Sequence, residues 1–187
     1  AFNALWQVKL LQEKKLPVLL FIDDPGLVAY GQSTTVALSR ALITKALAEM
    51  VAVLKNAGAL VGVHCCAGID WSILFELDLD IVSFDAFNYF DSLLVYTSSL
   101  SDFLDRGGVL GWGIVPTSWE IERHDTTSLY RLWQQQISIL SGKGISENLL
   151  KKNYLLTPSC GAGTMEVEKA SSVYEITSSL HKFMAGG

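Results

Sequence analysis

Five short apolar runs, separated by stretches of helical periodicity, constrain this chain more than any other feature: residues 18–22, 59–63, 80–84, 109–115 and 154–157. The first, Val18-Leu19-Leu20-Phe21-Ile22, is apolar throughout and reads as a strand buried on both faces, as parallel strands are. The intervening segments read as helices over residues 3–15, 36–55, 71–77, 92–105, 127–140, 146–152 and 167–183. Gly58 sits just past the second of these, Asp70 is placed to cap the third, Gly107-Gly108 stops the fourth, and Ser146 is the expected cap of the sixth. Residues 27–35 read as a loop. Strands alternating with helices mean parallel βαβ units.

Polar residues fall at the C-terminal ends of those runs: Asp23 and Asp24, His64 and Cys66, Asp85, Thr117, and Cys160. In a doubly wound sheet, five strand ends at about 4.8 Å each spread over roughly 20 Å. In a (β/α)8 barrel they converge on one mouth, where active sites sit. The expected class is therefore α/β, a TIM (β/α)8 barrel. A whole barrel takes about 250 residues and eight strands, whereas this chain has 187 residues and five runs. It also opens directly in a helical pattern, with Leu5, Val8 and Leu11 among Gln7, Lys9 and Gln12. The expectation is one domain, residues 1–187, forming the C-terminal part of a barrel whose N-terminal units are absent from this chain.

Chemistry concentrates at Gly62-Val63-His64-Cys65-Cys66. Alternation along a strand sends His64 and Cys66 to one side and Cys65 to the other, with Val61 and Val63, as packing. Gly62 then points inward and leaves room beneath a metal. Cys160, in Thr157-Pro158-Ser159-Cys160-Gly161, lies in a loop with no apolar periodicity to explain it as core. A catalytic zinc keeps three protein ligands and one exchangeable position, and His64, Cys66 and Cys160 supply the three. Two thiolates make such an ion soft and suited to a thiol substrate. Asp23-Asp24-Pro25-Gly26 is good turn chemistry, and on the same rim one of the two carboxylates could hold a substrate ammonium. Asp85 is open to three roles: metal ligand, partner of His64, or helix cap. His124 and His181 read as residues without function.

These strand ends resemble the catalytic barrel of cobalamin-independent methionine synthase, within the uroporphyrinogen decarboxylase/methionine synthase-like superfamily. Phe21-Ile22-Asp23-Asp24-Pro25-Gly26-Leu27 is similar to that family's Ile-Asp-Glu-Pro-Ala-Leu segment, and His64-Cys65-Cys66 to its zinc-binding His-x-Cys. Ile81-Val82-Ser83-Phe84-Asp85 is similar to the strand whose final Glu approaches the zinc. Thr157-Pro158-Ser159-Cys160-Gly161-Ala162-Gly163-Thr164 resembles Asn-Pro-Asp-Cys-Gly-Leu-Lys-Thr, which supplies the last Cys ligand. The resemblance implies strands four to eight of the barrel, with zinc on His64, Cys66 and Cys160. It implies a thiol acceptor such as homocysteine, methionine biosynthesis, and Asp23 holding the acceptor's ammonium, with Asp24 beside it.

The departures bear on the donor. Asp85 is one methylene shorter than the family's Glu, which puts direct ligation in question. On the fourth strand the family carries an Asp-x-His pair tied to proton delivery during transfer from methyltetrahydrofolate. Here the stretch reads Leu110-Gly111-Trp112-Gly113-Ile114-Val115-Pro116-Thr117, with neither residue. Folate N5 must be protonated for methyl transfer, so an acid is needed nearby. A methyl-corrinoid needs none, which favours it over methyltetrahydrofolate and implies a corrinoid protein as partner. Trp112 and Trp119 are candidates to line a flat donor surface, with packing the simpler role for Trp112.

The expected function is thus a zinc-dependent methyltransferase acting on a thiol. The alternatives are a metal-free, uroporphyrinogen decarboxylase-like lyase using Asp23 or Asp24, or a non-catalytic barrel fragment, expected either to be part of a longer ordered chain or to close its open sheet against a second copy. A net charge of −5, with no Lys/Arg cluster, speaks against nucleic acid. No apolar run reaches the roughly 20 residues of a membrane span. Three cysteines, an odd and low count, point to reduced thiols and a cytoplasmic setting.

Overall fold

The computed structural model describes residues 2–23, 25–30 and 39–186. It is α/β, with strands β1 (Leu19–Asp23), β2 (Leu60–Cys65), β3 (Ile81–Phe84), β4 (Val109–Val115) and β5 (Tyr154–Pro158) in one all-parallel sheet. The spatial order β1-β2-β3-β4-β5 is also the chain order. Helices fill the connections: α1 (Phe2–Gln12) precedes β1, and α2 (Pro25–Ala29) and α3 (Arg40–Asn56) lead to β2. Then α4 (Ser72–Phe75) leads to β3, α5 (Thr97–Asp105) to β4, α6 (Thr126–Gly142) and α7 (Glu147–Lys152) to β5, and α8 (Val167–Ala185) closes the described chain. Right-handed crossovers between sequential neighbours lay the helices on one face, because reversal of strand order is what moves helices to the other. The sheet is therefore singly wound. Among the described residues, no helix is long and apolar enough to cross a membrane.

The register sorts the side chains into two faces. On the helix side run Ile22, Val63, Val82, Leu110 and Tyr154 in one row, and Cys65, Phe84, Trp112 and Leu156 in the next. Val63, Val82, Phe84, Leu110 and Trp112 are fully buried there. An aromatic chain continues the packing outward, Trp71–Phe84 at 5.9 Å, Phe84–Trp112 at 5.8 Å and Trp112–Trp133 at 6.2 Å between centroids. Edge and tilted contacts at these spacings suit the ring quadrupoles. Inside this layer Trp112 Nε1 donates to Gln136 Oε1 at 2.6 Å, and Gln136 Nε2 donates to the Ala86 carbonyl at 2.7 Å. Gln136 thereby satisfies the one polar atom that Trp112 brings into the core.

The opposite face carries Phe21, Gly62, Ile81 and Val109 in one row, then Asp23, His64, Ser83, Gly111 and Leu155. Its rim is uncovered: Leu19 is 40% exposed, Phe21 37%, Leu60 49% and Leu155 42%. The expectation that the first strand is buried on both faces therefore fails. β1 is an edge of the sheet among the described residues, and nothing there covers the side on which Leu19 and Phe21 stand. Gly62 does point to this face, but the space over it is filled rather than left open. A Cβ there would meet the Phe21 ring at 2.5 Å.

Local chemistry moves several boundaries. The long helix begins at Arg40, because the Ser39 side chain accepts from Leu42 N–H and its backbone is extended; residues 36–38 of the expected helix lie outside the described residues. Pro25 opens the short α2 where a loop was expected, a position that asks no N–H of it. Asp70 accepts from both the amide and the hydroxyl of Ser72 but lies one residue before the N-cap, which is Trp71 with no side-chain cap bond, and the expected helix is a single turn. The expected helix over 92–105 is broken into a 3-10 turn, Phe90–Leu93, and α5. Ser92 is responsible in part: its hydroxyl donates to Tyr89 C=O and accepts from Trp71 Nε1, tying the chain to α4's flank. Gly58, at φ +84°, ends α3 as its position suggested.

Candidate metal centre

Two strand ends and one loop build the site. β2 delivers His64 on the open face at its last turn of pleat, Cys65 goes under the helices at 3% exposure, and Cys66 follows at the exposed tip. Cys160 comes from the loop after β5, although β2 and β5 are separated in the sheet by β3 and β4. The ligand atoms of His64, Cys66 and Cys160 nonetheless all lie within 4.8 Å of one another. The loop after β5 thus reaches back over the open face to the end of β2.

The loop that carries Cys160 is fastened at its preceding residue. Ser159, 2% exposed, donates its N–H to Val115 C=O at 2.8 Å. Its Oγ accepts from Thr117 N–H at 3.1 Å and lies 3.0 Å from Thr117 Oγ1. The β4–β5 register slips between Gly113 and Val115, so β4 carries one extra residue at that strand end, as a β-bulge does. Gly113 permits the approach, since a Cβ there would sit 2.5 Å from Phe84 C=O and 2.9 Å from Ser159 Cα. Thr117, expected merely as one of the polar strand-end residues, thus anchors the cysteine loop.

His64 is half-buried and held on one side only. Its Nδ1 lies 2.9 Å from Ser83 Oγ, its neighbour across the β2–β3 register. Its Nε2 is buried and has no hydrogen-bond partner. Burial lowers the imidazole pKa from its ordinary value, against the opposing pull of the Asp23 and Asp85 carboxylates, so the ring is favoured neutral. Burial, and after it the adjoining Cys160, raises the Cys66 thiol. Two thiols and a neutral imidazole with an open nitrogen fit a soft divalent cation, whose charge would reverse the penalty on the thiolates.

Two cavities meet at this group. One, of about 410 Å³, is lined by Asp23, Val28, His64, Cys66, Cys160 and Gly161. The other, of about 250 Å³, runs down the open face past Phe21, Ser83, Thr157 and Pro158. Asp23 borders both and is exposed. Asp24 lies outside the described residues. Asp85 is not a member of the ligand group: it is 4% exposed, and its two oxygens accept from Asn88 N–H at 2.9 Å and Asn88 Nδ2 at 2.7 Å. That is a local turn lock at the start of the β3 loop, and no helix begins there for it to cap.

The remaining candidates fall elsewhere. Trp112 faces the helices. Trp119 is 55% exposed on a 3-10 turn, Trp119–Arg123, with the Arg123 guanidinium 4.1 Å over its ring. His124 packs edge-on against Phe87 at 5.1 Å rather than standing in solvent. His181 is exposed on α8. Sequence reasoning missed Ser83 and Ser159, whose importance depends on pairing register that residue type does not announce. No family model and no curated protein matches this chain.

Proposed function

We propose that the five βα units are an arc of a (β/α)8 barrel and that the chain serves a zinc-dependent methyltransferase acting on a thiol such as homocysteine, a step of methionine biosynthesis. The observation that carries this reading is the convergence of His64, Cys66 and Cys160 from separate strand ends to within 4.8 Å, with His64 Nε2 unpartnered. These three residues would hold the ion. Zinc so bound supplies the lowered pKa that keeps an acceptor thiol as a nucleophilic thiolate at neutral pH.

The chain's own groups supply the rest. The larger cavity admits a small acceptor beside Cys66 and Cys160, and Asp23 on its wall is positioned to pair with a cationic group of that acceptor. Phe21 and Pro158 provide an apolar wall in the adjoining cavity, against which the acceptor's apolar part can lie. On β4, Gly111 and Gly113 occupy the open face and bring no acid. This favours a donor that needs no protonation, a methyl-corrinoid presented by a corrinoid protein, over methyltetrahydrofolate.

The test is metal content of protein purified without chelators, followed by zinc-edge X-ray absorption during titration with homocysteine. About one zinc per chain, in a mixed S/N shell that gains a sulfur with thiol, is the expected result. No stoichiometric metal, or a shell indifferent to thiol, would overturn the reading and leave Asp23 as the residue around which a metal-free lyase would have to be built.

A further inference from the structure

We infer that Ser83 is the positioning residue of the metal centre: its hydroxyl takes the Nδ1 proton of His64 and thereby leaves the Nε2 lone pair as the metal donor. The inference rests on the zinc reading above and deepens it. Ser83 and His64 are paired across β2 and β3, so both side chains stand on the open face, and Oγ to Nδ1 is 2.9 Å. Ser83 is 5% exposed, and the next strand crowds it: a Cβ on Gly111 would lie 2.8 Å from its Cβ. The hydroxyl is thus presented by two fixed strands and not by a loop.

The tautomer follows from the other nitrogen. Nε2 is buried without a partner. If it carried the proton, a buried N–H would be orphaned, which is rarer and more costly than an unpaired acceptor. The proton therefore belongs on Nδ1, where Ser83 Oγ can accept it. A neutral imidazole binds metal only through its unprotonated nitrogen, so the serine selects which atom faces Cys66 and Cys160.

The experiment compares the parent with Ser83→Ala and Ser83→Thr. In metal-free protein, long-range proton–nitrogen NMR correlations of the His64 ring should show Nδ1–H in the parent and in Ser83→Thr, and a shift toward Nε2–H in Ser83→Ala. Zinc affinity, measured by competition with a chromophoric chelator, should weaken about 10- to 100-fold in Ser83→Ala and stay within about threefold in Ser83→Thr. A parent that carries its proton on Nε2 overturns the inference with no variant needed, even where Ser83→Ala does not fold. So does a Ser83→Ala protein that keeps both tautomer and affinity. Failure of the underlying reading looks different: the parent itself binds no zinc, whichever nitrogen holds the proton.

Discussion

The two faces of the sheet are made from the same strands and differ in nearly every physical respect. The helix-side face is aromatic and aliphatic and closed, and the Gln136 bridge to Ala86 satisfies Trp112, although Trp133 Nε1 is buried there without a partner. The open face is thin: glycines at 62, 111 and 113, exposed aliphatic residues at its rim, and an orphaned nitrogen at its upper end. One face spends its residues on cohesion and the other on placement. Alternation lets neighbouring residues belong to each, so Cys65 is core while Cys66, next in sequence, is a candidate ligand.

If that division is real, substitutions on the two faces must separate stability from metal affinity. The largest effect is expected on the closed face. Trp112→Ala should cost about 3–5 kcal/mol by urea denaturation, for lost burial and a stranded Gln136; a loss under about 1 kcal/mol would mean that the core lies elsewhere. On the open face, Cys160→Ser should weaken zinc at least 100-fold, about 2.7 kcal/mol, while the metal-free protein changes by under about 0.5 kcal/mol. Equal losses in both quantities would erase the distinction.

A pH series sharpens it further. His64 has a lowered pKa in the folded state because it is buried, so between that value and the ordinary one near 6.5 the unfolded chain binds more protons. Stability of the metal-free protein should therefore be full above the histidine range and fall as pH drops through it. His64→Gln should flatten that part of the slope; an unchanged slope would show that His64 is solvated. The smallest effect belongs to the rim. Leu155→Ser should stay within about 0.5 kcal/mol, and a much larger loss would reveal that something covers the open face in solution.

Periodicity made the five parallel strands legible, since runs of apolar residues ending in polar ones survive any choice of fold, whereas their sequential order followed only from the choice of a barrel over a doubly wound sheet. The nearness of His64, Cys66 and Cys160 was legible as well, because strand alternation separates Cys65 from Cys66 and a cysteine between Ser159 and Gly161 shows no apolar periodicity. Other features depend on neighbours that a sequence does not display. β1 reads as buried because Val18 to Ile22 are apolar, yet the exposure of Leu19 and Phe21 reflects what lies beside the strand. Ser83 and Ser159 look like ordinary polar residues until register sets one against His64 and a strand irregularity sets the other against Thr117. Asp85 had three candidate roles in sequence, and the structure gives its oxygens to a turn that none of them named, because Asn88 three residues on reaches both.

Sequential strand order has a consequence for biosynthesis. Each strand's partner is the one made just before it, so the sheet can grow in the direction of translation with only short-range closures. The ligand trio does not share that locality. His64 and Cys66 are synthesised with β2, and Cys160 arrives only after the fifth strand. A nascent chain would thus acquire most of its layered architecture before it could grip an ion, and under the proposed reading metal uptake becomes a late checkpoint that reports a finished sheet.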